Sequence, residues 1–155
     1  MSFLIEFYAG DANEIGRAFS EDDFEALRNG NLAHSYADFS LHISPTDLDI
    51  LSEQAAGLLE RPPVLLLDSL GRNVGGTPEE SSAEVVSPAW VEFIAALPAE
   101  AAAELSSVWL SAVMAECGEE IDTNSPDAAR AVGDLLSLCS EALTRRSDVV
   151  FAWHL

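Results

Sequence analysis

Three histidines, His34, His42 and His154, are the first residues to test for chemistry, because an imidazole titrates near neutrality and binds metals. His34 and His42 lie in a segment that alternates like a strand, eight residues apart. On an uninterrupted strand both would project to one face about 27 Å apart, at ~3.4 Å per residue, too far to share one metal. His42 falls opposite the apolar positions Phe39, Leu41 and Ile43, so it reads as a solvated or sheet-covering side chain. His154 is penultimate, in an expected strand. None of the three reads as a catalytic or metal-ligating residue.

Asp68 follows the apolar run VLLL at 64–67, the position at which α/β enzymes place a ligand or nucleophile. No second acid stands beside it in a DxD pair, and an Asx turn opening the next loop explains it equally well. The run Asp122-Thr-Asn-Ser-Pro-Asp127 offers oxygen ligands but fails as a calcium loop. Its sixth residue is Asp127 rather than glycine, and its twelfth is Gly133 rather than glutamate. Gly71, Gly75 and Gly76 lack the spacing of a phosphate loop, and Glu79-Glu80 beside them would repel phosphate.

The chain contains no lysine; its seven basic residues are all arginine. Schiff-base chemistry, the lysine of a phosphate loop and the SxxK nucleophile are therefore absent. GxSxG and HExxH are absent too. No cofactor is expected. Cys117 and Cys139 lack CxxC spacing and are expected as free, buried thiols.

The elements that must position these residues follow from periodicity and caps. Strands are expected at 2–8, at 33–43, at 64–67, at 83–86 and at 148–154. Asp11 and Glu14 cap a short helix, and a second is expected from Ser20 to Arg28. Ser44-Pro45, Ser87-Pro88 and Ser125-Pro126 each place a cap before a first-turn proline, and Pro98 opens a further helix. Residues 68–82, with three glycines and a proline, read as a loop. Arg130–Asp134 and Glu141–Arg145 are spaced for helical ion pairs. Trp90, Trp109 and Trp153 read as core anchors. The expected fold is a single α+β domain over 1–155, with helices packed on a small mixed sheet, in the order β-α-α-β-α-β-β-α-α-α-β.

Charge carries the functional expectation. The chain has 155 residues and a net charge of −20. Binding to nucleic acid or to an anionic membrane is excluded on that ground, and a basic protein partner is favoured. The acids are densest at Glu21, Asp22, Asp23 and Glu25, at Glu79 and Glu80, and at Glu119, Glu120 and Asp122. These nine are the expected partner-binding residues. A solvated coat and adaptation to salt are the plainer readings of the same acids.

No apolar run approaches the 18 residues of a membrane span, and MSFLIEFYAGD has no positive leader region, so a cytoplasmic protein is expected. The size, acidity and helix-on-sheet pattern resemble those of many small bacterial proteins, toxin-neutralising immunity proteins among them. That likeness is one of composition and assigns no residue roles. The functional expectation is a non-enzymatic, inhibitor-like or immunity-type binding module. A ligand site or enzyme centred on Asp68 and residues 68–82 is one alternative, and a homodimeric regulatory module is another.

Overall fold

The computed structural model describes residues 3–155; Ser2, where the expected first strand begins, lies outside them. The chain runs β1 (Leu4–Gly10), α1 (Ala12–Ser20), α2 (Phe24–Arg28), β2 (Ala33–Asp38), α3 (Pro45–Leu59), β3 (Leu70–Gly75), β4 (Ser81–Val86), α4 (Pro88–Ala95), α5 (Ala102–Cys117), α6 (Pro126–Arg145) and β5 (Asp148–His154). This is the expected α+β class and order of elements. The five strands form one sheet in the order β2-β1-β5-β4-β3. Every ladder is antiparallel, where a mixed sheet was expected. Neighbouring strands that follow one another in the chain are joined by a hairpin (β3 to β4), by two helices (β1 to β2) or by three (β4 to β5); the one single-helix connection, α3, runs between β2 and β3 at opposite edges, so no neighbouring pair is linked by the crossover that makes a parallel pair.

Both faces of the sheet are covered. Ile5, Phe7, Ala9, Val149 and Phe151 point into the larger core, built with α3, α4, α5 and α6. Tyr8, Val150, Ala152 and Ala83 point the other way, into a smaller core closed by Ile15 and Phe19 of α1 and Leu27 of α2. Burial on both faces explains why β1 and β5 are apolar at nearly every position. Trp90 and Trp109 are fully buried, and their indole N–H groups donate to Ser52 Oγ at 3.1 Å and to the Asp47 carbonyl at 2.8 Å. Trp153 is only half-buried, against Phe3, so it is not the core anchor its composition suggested.

Four boundaries depart from expectation, each for a local reason. The VLLL run is not a strand. Ser69 donates from its amide to the Leu66 carbonyl (2.8 Å) and from its hydroxyl to the Leu65 carbonyl (2.7 Å), which closes a 3₁₀ turn at 67–69. The Leu67 amide is meanwhile taken by Asp49 of α3 at 3.0 Å, and only Leu66 of the run is fully buried, with Val64 packed partly buried against the core.

The third strand instead lies inside the expected 68–82 loop, as β3 paired with β4. Its second glycine serves close approach: a Cβ on Gly75 would stand 2.3 Å from the Gly16 carbonyl oxygen of α1. β2 ends at Asp38 rather than at residue 43. There the Asp38 carboxylate accepts from the Ser40 amide (2.9 Å), and His42 adopts a φ of +61°. Finally, Ser20 closes α1 instead of opening α2, its hydroxyl donating back to the Gly16 carbonyl at 2.9 Å; Asp23 is the cap of α2.

Candidate functional site

The nine expected partner-binding acids are all exposed, and local structure turns each group outward. In α2, Phe24 packs edge-to-face on Phe19 and stacks on the His154 ring at 5.3 Å, while Leu27 enters the smaller core. With that face occupied, Glu21, Asp22, Asp23 and Glu25 face solvent. The Asp23 carboxylate accepts from the Ala26 amide at 3.2 Å, an N-cap bond that places it at the positive helix end. Glu79 and Glu80 ride on the β3–β4 turn.

Three contacts bring these two groups together at one end of the sheet. The Gly76 amide donates to Ser20 Oγ at 2.9 Å, the Leu155 amide donates to the Glu80 carbonyl at 3.0 Å, and Phe24 stacks on His154. A groove lined by Thr77, Pro78, Glu79 and Trp153 adjoins them.

Glu119, Glu120 and Asp122 are not part of that surface. They lie on the connection from α5 to α6, in the helical layer on the opposite face of the sheet. Gly118 turns the chain out of α5 at a φ of +73°, and half-buried Ile121 anchors the connection against the larger core. Asp122 lines a groove of about 340 Å³ together with His42, Leu110, Ile121 and Asp127. That groove runs into a second, of about 310 Å³, lined by Tyr36, Asp38, Asp127, Arg130 and Asp134. The two share Ser40, Leu41 and Asp127.

A band of aspartates therefore follows α6 and the outer edge of β2. Sequence reading did not assign Asp38, Asp127 or Asp134 to a binding surface, because its signal was runs of adjacent acids and these three meet only through packing of α6 on β2. Arg130 pairs with Asp127 (3.5 Å), one turn before it, rather than with the expected Asp134, one turn after it. Partial burial holds the Asp134 carboxyl above its ordinary value, against the opposing pull of the Arg130 charge.

The residues screened for chemistry are dispersed. His34 Nε2 hydrogen-bonds the Ser147 hydroxyl at 2.8 Å and its Nδ1 the Ser35 hydroxyl at 3.0 Å. This pairing has the reach of a nucleophile and base, yet its third member is a hydroxyl rather than an acid, and neither His34 nor Ser147 lines the grooves at α6, at the β3–β4 turn or at Asp68. Its effect is to tie β2 to the turn between α6 and β5. Burial, followed by the Arg145 charge, lowers the His34 pKa.

His42 leaves the strand before its spacing from His34 has any meaning. His154 sits between Phe19 and Phe24, and no hydrogen-bond partner meets its Nε2 among the described residues. Asp68 is exposed in the 3₁₀ turn, beside a shallow groove of about 270 Å³ whose other lining residues include Arg72 and no second acid or histidine. Among the described residues no three His, Cys, Asp or Glu side chains gather to hold a metal ion. Cys139 is buried, but Cys117, at the end of α5, is exposed, contrary to the expectation of two buried thiols. Both are free.

Among the described residues no single helix is long and apolar enough to cross a membrane. Comparison of the chain with protein-family models, with curated proteins and with solved structures gives no match.

Proposed function

We propose that this protein is a cytoplasmic, non-enzymatic binding module whose acidic surfaces dock a basic protein, in the manner of an inhibitor or immunity-type factor. One observation carries the reading. Among the described residues there are three ion pairs, Arg28–Glu6, Arg130–Asp127 and Arg145–Glu141, and none of the nine docking acids takes part in them. No basic side chain among the described residues pairs with them, which leaves them available to an external cation. Opposite fields raise the rate of encounter more than they deepen the bound state. The acids at 21–25 with 79–80, and separately those at 119–122, would supply steering and rim contacts.

The test uses a variant with all nine acids changed to their amides. Asp23→Asn and Asp122→Asn keep the side-chain oxygens that cap α2 and the turn at 124, so the fold is retained. The native chain, immobilised, should retain basic proteins from a cell extract, with on-rates falling about ten-fold or more from low salt to 0.5 M. The amide variant should lose them. Equal retention by both chains, or binding indifferent to salt, overturns the proposal.

A further inference from the structure

We infer that the partner presents an extended basic segment, and that this segment adds to the open edge of β2 as a sixth strand. The inference rests on the reading above that the partner is basic, and it goes on to give the place and the backbone conformation of the contact.

β2 is terminal in the sheet, so one of its two hydrogen-bonding edges has no strand beside it. The phase of the ladder tells which groups face outward. The Phe39 amide donates to the Ile5 carbonyl at 2.8 Å, and Phe7 and Tyr8 stand opposite Ala37 and Tyr36. In an antiparallel pair the hydrogen-bonded positions alternate. Phe39, Ala37 and Ser35 therefore spend their main-chain groups on β1, while those of Asp38 and Tyr36 point away from it. An edge of this kind is usually blunted with lysine, proline or a covering element. β2 contains neither lysine nor proline. The opposite edge, β3, is unlike it: its register with β4 shifts twice, Gly16 of α1 packs against Val74, and Arg72 stands on it as a cation.

Charge selects the occupant. α2 and α6 both pack on β2, from opposite faces. Below the open edge, Asp127 and Asp134 of α6 line the groove of about 310 Å³ with Asp38 and Tyr36. Successive side chains of an added strand alternate between faces. One set would meet Asp127 and Asp134. The other would meet Asp38 and the Tyr36 ring, which is 39% exposed and stacked on Tyr8, a surface suited to a guanidinium. Arg130 is the groove's single cation, and its bond to Asp127 is long and exposed, so an incoming arginine can displace it. A second copy of this chain is disfavoured, because joining two β2 edges would bring two molecules of charge −20 together with two sets of the same aspartates.

The experiment uses three hexapeptides: alternating Arg-Val, alternating Glu-Val, and the Arg-Val peptide with N-methyl groups on the amides of one edge. Binding to the isotope-labelled chain is followed by amide chemical shifts at low salt. The Arg-Val peptide should bind, shifting residues 34–40 and 127–134, and the Glu-Val peptide should not. N-methylation should weaken binding ten-fold or more with charge unchanged. Tyr36→Pro, which removes an outward N–H and no bond to β1, should do the same.

N-methylated peptide binding within two-fold of its parent overturns strand addition, as do shifts confined to 21–25, 79–80 and 119–122; either result leaves the acidic docking reading standing. Failure of the Arg-Val peptide to bind at all overturns both. A dimer in sedimentation that Tyr36→Pro dissolves would make a second copy the occupant and overturn the inference.

Discussion

Arg28 and Glu6 form an ion pair that joins a surface helix to the interior of the sheet. Arg28 Nε donates to Glu6 Oε2 at 3.0 Å and Nη2 donates to Oε1, a two-pronged grip on a carboxylate that is 3% exposed. Tyr8 donates its hydroxyl to the same Oε2 at 2.5 Å. Burial, and then the Glu6 charge, raises the Tyr8 pKa, while the hydrogen bonds to Glu6 raise that of Arg28. The Arg28 guanidinium also lies over the Phe24 ring at 5.0 Å. A five-residue helix has little stability of its own, so this network fixes α2, and with it the acids at 21–25, to the sheet.

Arg28→Ala should therefore destabilise the fold by about 2–3 kcal/mol. That lies below the range for a fully buried pair, because the Arg28 side chain is 42% exposed and screened by water. Glu6→Gln should lose about 1 kcal/mol, since the amide still accepts from Tyr8 and the freed guanidinium can turn to solvent. Urea unfolding of the three proteins measures both losses, and equal stability of Arg28→Ala and the native chain would contradict the role given to the pair.

His34 of β2 and Asp134 of α6, the helix packed on it, should give opposite pH dependences. The folded chain holds the His34 pKa below its ordinary 6.5. As pH falls through 6.5 the unfolded chain takes up a proton that folded His34 refuses, so stability drops until the lower folded value is passed. His34→Gln should flatten that part of the curve. Asp134 has the other sign, with a folded pKa raised above 3.8. Its contribution grows as pH falls through the raised value, and Asp134→Asn should remove that gain while slightly stabilising the protein at neutral pH. Denaturation midpoints measured from about pH 3 to 8 separate the two.

The same substitution should act oppositely at two helical glycines. A Cβ on Gly16 would stand 2.1 Å from the Val74 carbonyl oxygen, so Gly16→Ala must push α1 away from β3, at a loss of about 2–3 kcal/mol. Gly57, in α3, has nothing within 4 Å, and Gly57→Ala should stabilise by about 0.5–1 kcal/mol through helix propensity alone. Thermal unfolding of each variant gives the two signs.

The thiols should differ as sharply. Cys117 is exposed, whereas Cys139 is fully buried and its thiol pKa is pushed up by burial. One equivalent of a thiol reagent should react with the native protein at neutral pH and a second only after unfolding. Rapid reaction of two thiols in the folded protein would place Cys139 elsewhere than in the core.

The order of elements was readable from the chain because its signals are local. The Ser-Pro starts at 44, 87 and 125 satisfy helix amides within one turn, and the apolar stripes of α5 and α6 repeat at helical spacing. The strength of the negative charge was equally plain, since composition alone fixes it. What depended on tertiary structure were choices between competing partners. VLLL has the composition of a strand, but Ser69 and Asp49 capture its backbone groups first. Gly75 has the composition of a loop, but its missing Cβ lets α1 lie against β3.

The site divides in the same way. Runs such as Glu21 to Glu25 announce themselves, whereas Asp38, Asp127 and Asp134 lie far apart in sequence and become neighbours only when α6 packs on β2. Residue types determined the sign and size of the field; only packing across the sheet decided where that field meets an open strand edge, because long-range juxtaposition leaves no local trace in the order of residues.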